Sequence, residues 1–295
     1  MVRTLPAGLM IAGNHRQAII FLFDLREDKL LIIGERINSS RGEIARAIKR
    51  KDVNFIRDEA IRQAEAGAAY IDVNAGTFIE SEAENLSWLV QVTQEAVETP
   101  LCIDTPDAKA AEAALKLCKE RPILNSITAE SKRLNSALPL LKEYKCSVIA
   151  LLIDDSGMPN TVDGKLRIAS SIVDRLLSEG IALDDIYIDP LVQPIGVTAN
   201  AGVVVVDAIA NIMREYPGIH TICAISNVSH GLPQRKLLNQ VFAVLAIQRG
   251  LDAALADPCD GHLMANILAC EALLGKDKSC LGYIKAYRHG KLEST

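Results

Sequence analysis

A chain of 295 residues with a formal net charge of −5 carries too little positive charge for a nucleic-acid binder, and it shows no basic stripe with interleaved aromatics. Hydrophobic residues make up 49% and aromatics only 4%, which predicts an aliphatic core, and no apolar run is long enough to span a bilayer. Cys102, Cys118, Cys146, Cys223, Cys259, Cys270 and Cys280 are scattered, with no Cys-x-x-Cys and no Cys/His cluster. That spacing suits neither a disulfide framework nor a zinc site, so we expect a protein of the reducing cytoplasm with no tightly bound metal.

Residues 1–29 read as an N-terminal extension. Ala18–Phe23 is apolar but short, and Arg3 followed by Leu5–Ile11 imitates the start of a signal peptide. Asn14, His15 and Arg16 stand where a small-residue cleavage site belongs, so the segment is read as a peripheral strand or turn capping the lower end of the fold.

From residue 30 to 295 we expect a single domain of alternating strands and helices. A strand at Leu31–Glu35 precedes a helix from Gly42 to Glu65, with Gly67 as terminator. Tyr70–Asn74 leads to a helix over Ser81–Val97, ended by Pro100, and Leu101–Asp104 leads to an Ala/Leu/Lys-rich helix over Ala108–Lys119. Ile123–Asn125 precedes a helix at Ser131–Tyr144, in which Pro139 should mark a kink or the true start. Val148–Asp154 is followed by Leu166–Ser178 and Gly180, and Ile186–Asp189 by a helix within Ala201–Tyr216. Ile222–Asn227 and Ala253–Asp257 are followed by helices within Gln234–Arg249 and Leu263–Leu274. Eight such units make a closed (β/α)8 TIM barrel the economical solution. The connections leaving strand ends are the long ones (37–41, 76–79, 156–164, 190–202 and 228–233), as expected when that face binds something.

Each strand runs out in a polar residue. A lone Asp there usually caps a helix, but the recurrence along the chain points to a site. Asp104, Asn125, Asp189 and Asn227 would converge on one mouth, offering two carboxylates and two amides. This set suits a flat heterocycle with amino and ring N–H groups better than a phosphate, which would want a Gly-rich turn or cations. Paired acids holding Mg²⁺ remain an alternative at this point. Glu35 pairs with an Arg of the mouth or serves the site, while Asp72 and Asn74 floor the pocket or touch the ligand. Trp88 reads as packing, His230 as a loop residue facing the mouth, and Asp257 as a cap of the last helix.

Gly34-Glu35-Arg36-Ile37-Asn38, Asp72-Val73-Asn74-Ala75-Gly76, Leu101-Cys102-Ile103-Asp104, Asn125-Ser126, Tyr187-Ile188-Asp189-Pro190-Leu191 and Ser226-Asn227-Val228-Ser229-His230-Gly231-Leu232-Pro233 form a series. With Arg235 and Asn239 beyond it, the series resembles the pterin-binding methyltransferases that exchange a methyl group between tetrahydrofolate and a corrinoid protein. The corrinoid/iron–sulfur protein methyltransferases are the nearest type, within a dihydropteroate synthase-like superfamily. The resemblance implies that Asp104, Asn125 and Asp189 hold the amino and ring-nitrogen edge of the pterin, and that Asn227 touches the methyl-bearing nitrogen. It implies Arg235 and His230 near the aminobenzoate–glutamate tail, and Ser226, Glu35, Asn38 and Asn74 along the substrate.

Asn227 cannot act as an acid at ordinary pH, so Asp72 is the candidate to relay the proton. The resemblance further implies 5-methyltetrahydrofolate or tetrahydrofolate as substrate, a corrinoid carried by a partner protein, transfer in either direction, and a homodimer. A dihydropteroate synthase-like enzyme and a non-catalytic docking subunit are the alternatives. The first would need cations for a leaving pyrophosphate where this chain has Asn227, Ser229 and His230.

Overall fold

The computed structural model describes residues 29–292, so the reading of the first 28 residues as a cap lies outside the described residues. Eight parallel strands close into a barrel in chain order. They are β1 (Leu31–Asn38), β2 (Tyr70–Asn74), β3 (Leu101–Asp104), β4 (Ile123–Thr128), β5 (Ser147–Leu151), β6 (Ile186–Asp189), β7 (His220–Ala224) and β8 (Ala253–Ala256). Around them lie α1 (Gly42–Arg50), α2 (Val53–Glu65), α3 (Glu82–Ala96), α4 (Ala108–Leu115), α5 (Ser131–Tyr144) and α6 (Val162–Ser178). The circle is completed by α7 (Ala201–Glu215), α8 (Arg235–Gln248), α9 (Gly261–Leu273) and α10 (Leu281–Arg288).

Strand alternation divides the core. Ile33, Cys102, Ile123, Ile149, Tyr187 and Ile222 pack with one another inside the barrel. Their chain neighbours, such as Ile71, Val73, Leu101, Ile103 and Ile188, face outward into the larger core beneath the helices. Both faces of every strand are therefore dry, which is why the strands read as apolar runs. The ring is joined where β1 pairs with β8, Leu31 opposite Ala253. A buried hydrogen bond of 2.7 Å from the Leu30 amide to the Glu271 carboxylate on α9 ties the first strand to the last helix of the wall.

The structure corrects several boundaries. The expected single helix over Gly42–Glu65 is two, α1 and α2. Lys51 turns left-handed at φ 52°, and the Asp52 carboxylate then accepts the Phe55 amide to start α2. The strand expected to reach Asp154 stops at Leu151, because the Asp154 and Gly157 main chains bond each other in a turn. The strand expected to reach Asn227 stops at Ala224, and Ile225–Ser229 winds into a 3₁₀ turn. Helix α4 ends at Leu115 rather than Lys119, and α6 starts earlier than expected, capped by Thr161. Pro139 sits inside an unbroken α5. Asp257 does not cap the last wall helix: Asp260 does, and Asp257 binds Arg36. The short α10 had no counterpart in the sequence reading.

β1 carries a bulge between Gly34 and Ile37. A bulge re-aims side chains, and here it sends Glu35 toward the mouth. Arg36 instead reaches Glu59 on α2 and Asp257 beyond β8, at 2.7 Å for the second. The fully buried Gln63 accepts the Arg36 amide at 3.1 Å and covers Gly34. A β-carbon at position 34 would overlap Gln63 Oε1, so Gly34 is required for space rather than for conformation. Gly34→Ala is expected to cost about 1–3 kcal/mol of stability. Urea denaturation followed by circular dichroism measures it, and an unchanged midpoint would mean that Gln63 has room to move.

Candidate active site

Inward-facing positions at the carboxyl ends of the strands hold a cluster of polar side chains. Register places Asn74 opposite Asp104 and Asp104 opposite Asn125. The Asn74 amide donates to Asp104 Oδ2 at 2.9 Å, while its own Oδ1 accepts the Ser39 hydroxyl at 2.9 Å and the Gly76 amide at 3.0 Å. Two residues earlier on β2, the buried Asp72 accepts the Asn125 amide at 3.1 Å. Asn125 therefore has its side-chain nitrogen turned to the floor. On β6, Asp189 Oδ1 accepts the Leu191 amide at 2.7 Å. Asn38 folds back on its own loop, accepting the Ser40 amide at 2.9 Å.

These carboxyl groups ionise reluctantly, because the dry lumen beneath them replaces water. Burial raises Glu35 to about 7, against the opposing pull of the Ser226 hydroxyl and of Arg41 and Arg235. Burial raises Asp104 to about 6, with Asn74 holding it down, and Asp189 to about 6, with the Leu191 amide and the Lys165 charge holding it down. Asp72 lies deepest. Burial and then the Asp104 charge drive it well above the ordinary carboxylate range.

The β7 loop supplies the remaining residues. Arg235, at the start of α8, donates to the Ser226 carbonyl at 2.8 Å and to the Ser229 hydroxyl at 3.2 Å. The Ser229 hydroxyl is also 2.7 Å from Asn239 Oδ1. This brace shapes the 3₁₀ turn that carries Asn227, whose side chain is exposed, as is that of His230. Arg235 is thus committed largely to the loop itself.

The structure brings Asp72, Asn74, Asp104, Asn125 and Asp189 into one lining, with Glu35 and Ser226 joining it from β1 and the β7 loop. Two features escaped the sequence reading. Glu35 meets Ser226, while its neighbour Arg36 takes the salt bridges. Lys165, which falls just ahead of the helix expected over Leu166–Ser178, is buried and points to the turn after β6. A lining of acceptors and amides at the carboxyl end of a barrel can grip a ring that presents several N–H donors in one plane.

Comparison with known proteins shows the family. A model of the pterin binding enzyme family matches residues 34–256. The chain is 41% identical over 265 residues to the methylcorrinoid:tetrahydrofolate methyltransferase of Eubacterium limosum, covering 89% of this chain and 98% of that one. It is 26% identical over 243 residues to the methionine synthase of Mycobacterium leprae, covering 78% of this chain but 20% of that longer protein. In fold it superposes on the dihydropteroate synthase of Xanthomonas albilineans, solved with 7,8-dihydropteroate. The TM-score is 0.69 at 17% identity, over 84% of this chain and 95% of the other. The chain belongs to the pterin-binding enzyme family.

Proposed function

We propose that this protein transfers a methyl group between a methylated corrinoid protein and tetrahydrofolate, both of which are substrates. The observation that carries the reading is the inward lining of Asp104, Asn125 and Asp189 at the barrel mouth. The 41%-identical relative with that named activity supports the choice of reaction. The pterin's 2-amino and N3–H donors meet the carboxylates, and Asn125 spans the edge between them. The methyl-bearing nitrogen then lies toward the β7 loop and Asn227, with the mouth left open for the corrinoid protein. The glutamate tail runs out past His230 and Arg235.

Methylation of a secondary amine breaks the methyl–cobalt bond of the corrinoid substrate, which keeps the electron pair, forms a carbon–nitrogen bond and releases the N–H proton; the reverse reaction must return it. Asn227 supplies an amide that can accept from N–H or donate to the free nitrogen lone pair as the bond changes. The proton resides on a buried acid whose hold on it is strengthened by burial. Asp72 is one such acid, reached through Asn125. Glu35 is the acid that stands beside the β7 loop through Ser226.

Two further parts of the reading rest on surface features. Leu237, Val241 and Leu245 make an exposed apolar stripe along α8, at 62%, 52% and 53% exposure, suited to a second copy of the chain. The seven cysteines are all free thiols, as suits the reducing cytoplasm, and no described helix is long and apolar enough to cross a membrane.

Asp104→Ala and Asp189→Ala are each expected to weaken tetrahydrofolate binding by about 1.5–3 kcal/mol, by removing a charged acceptor from a buried donor. Calorimetric titration checks this, and unchanged affinity in both would overturn the pocket. Both acids sit near 6, and the pterin donors need them ionised. Wild-type affinity should therefore be flat at alkaline pH and fall as pH drops through 6, which the same titration over a pH series reads. Asn227→Ala should slow methyl transfer by ~10²–10³ while leaving folate binding nearly intact, because the amide acts mainly as the nitrogen changes state. Single-turnover stopped-flow with a methylated corrinoid and saturating tetrahydrofolate reports it. Wild-type transfer would reduce Asn227 to a structural part of the loop.

A further inference from the structure

Lys165 lies on the first turn of α6, behind the barrel wall, with only 2% of its surface exposed. Its ammonium donates to the carbonyl of Pro190 and lies 3.5 Å from that of Leu191. Both contacts are main-chain oxygens of the turn that follows β6. Burying a full positive charge against neutral carbonyls is expensive, and a methionine of similar length would fill the space without that cost. The charge is explained by what lies on the far side of the turn. Asp189 is the charged group that acts on Lys165, alongside the Cys223 thiol on β7. In return, Lys165 is the charged side chain that acts on Asp189.

The turn links the two by bonds as well as by field. Leu191 adopts a left-handed conformation at φ 61°, unusual for a branched apolar residue. In that conformation its amide points back to Asp189 Oδ1 at 2.7 Å while its carbonyl turns to Lys165. One residue therefore presents its two main-chain groups to the two side chains.

We infer that Lys165 is a positioning residue for the pterin-edge carboxylate: it clamps the Pro190–Leu191 turn that holds Asp189, and its charge keeps that carboxylate ionised. The chemical part rests on the pterin reading above; the coupling between Lys165 and Asp189 does not. Without the lysine, the carboxylate faces the dry lumen with a single amide bond. It would take up a proton at higher pH and meet the pterin N–H groups as a poorer acceptor.

The coupling is tested without ligand by titrating the Asp189 carboxyl in the full-length protein by carbon-13 NMR, its signal identified by its loss in Asp189→Asn. Lys165→Met should move the midpoint up by about one unit, and Lys165→Arg should keep it near the wild-type value. An unmoved midpoint in Lys165→Met overturns the inference. If Lys165→Met does not fold, Lys165→Gln takes its place under the same criterion.

Tetrahydrofolate titration of the same variants adds the functional arm. The affinity deficit of Lys165→Met should be about fivefold at pH 6 and shrink by pH 8.5, whereas a purely structural lysine would give the same deficit at every pH. In the Asp189→Asn background the pH-dependent part of the deficit should vanish. Its persistence there would refute the assignment to Asp189. If wild-type protein binds no folate at any pH, it is the pterin reading that fails, and the NMR midpoints still decide the coupling.

Discussion

Carboxyl groups placed where water cannot solvate them are the feature on which this site depends. Asp72, Asp104, Asp189 and Glu35 all stand above a lumen filled by Ile33, Ile123, Ile149 and Ile222, and burial is the leading cause of each raised pKa. Linkage turns this into a cost for the empty fold. A carboxyl group whose folded pKa is raised stabilises fully below its unfolded value, near ~4. That contribution is lost as pH rises through the folded values near 6 and 7. A ligand that brings N–H donors restores at neutral pH what ionisation removes. The site is thus strained toward its ligand by electrostatics, with no large movement of the chain required.

The same dryness sorts the acids into two kinds. Asp104 and Asp189 titrate low enough to be largely ionised at neutral pH, because each has compensating contacts: the Asn74 amide for one, the Leu191 amide and Lys165 for the other. Asp72 has the Asn125 amide but lies deeper and beneath the Asp104 charge, so it is driven well above the ordinary carboxylate range. Carboxyl groups of one residue type at neighbouring barrel positions thus differ in how readily they ionise, distinguished by depth and by partners.

The barrel was legible in the sequence because strands buried on both faces leave nearly uninterrupted Val, Ile and Leu, as in Ile186–Ile188, and because the helices between them repeat. Asp104, Asn125 and Asp189 were legible for a related reason: a polar residue where an apolar strand stops is conspicuous. What escaped was set by tertiary contacts. Lys51 breaks a continuous helical pattern by turning left-handed, with no Gly or Pro to announce it. Arg36 and Glu35 are adjacent in sequence, and only the β1 bulge decides that the Arg pairs outward with Glu59 and Asp257 while the Glu meets Ser226. Lys165 lies just ahead of the helix expected from Leu166, and the returning β6 turn buries it. The end of β7 was misplaced for a similar reason, since Ile225 and Val228 are apolar in a turn that packs inward.

The hydrogen bond between the Leu30 amide and Glu271 joins residues 241 apart in the chain. A barrel closed through such a pairing has no finished edge until β8 and α9 are available. During synthesis from the amino end, β1 waits with one side unpaired while seven further strands emerge, and a waiting strand edge is a template for unwanted pairing. Glu271 lies on α9, so the ring is locked only after both its last strand and this helix have left the ribosome. Completion of the barrel, and with it assembly of the polar lining at its mouth, therefore waits on β8 and α9.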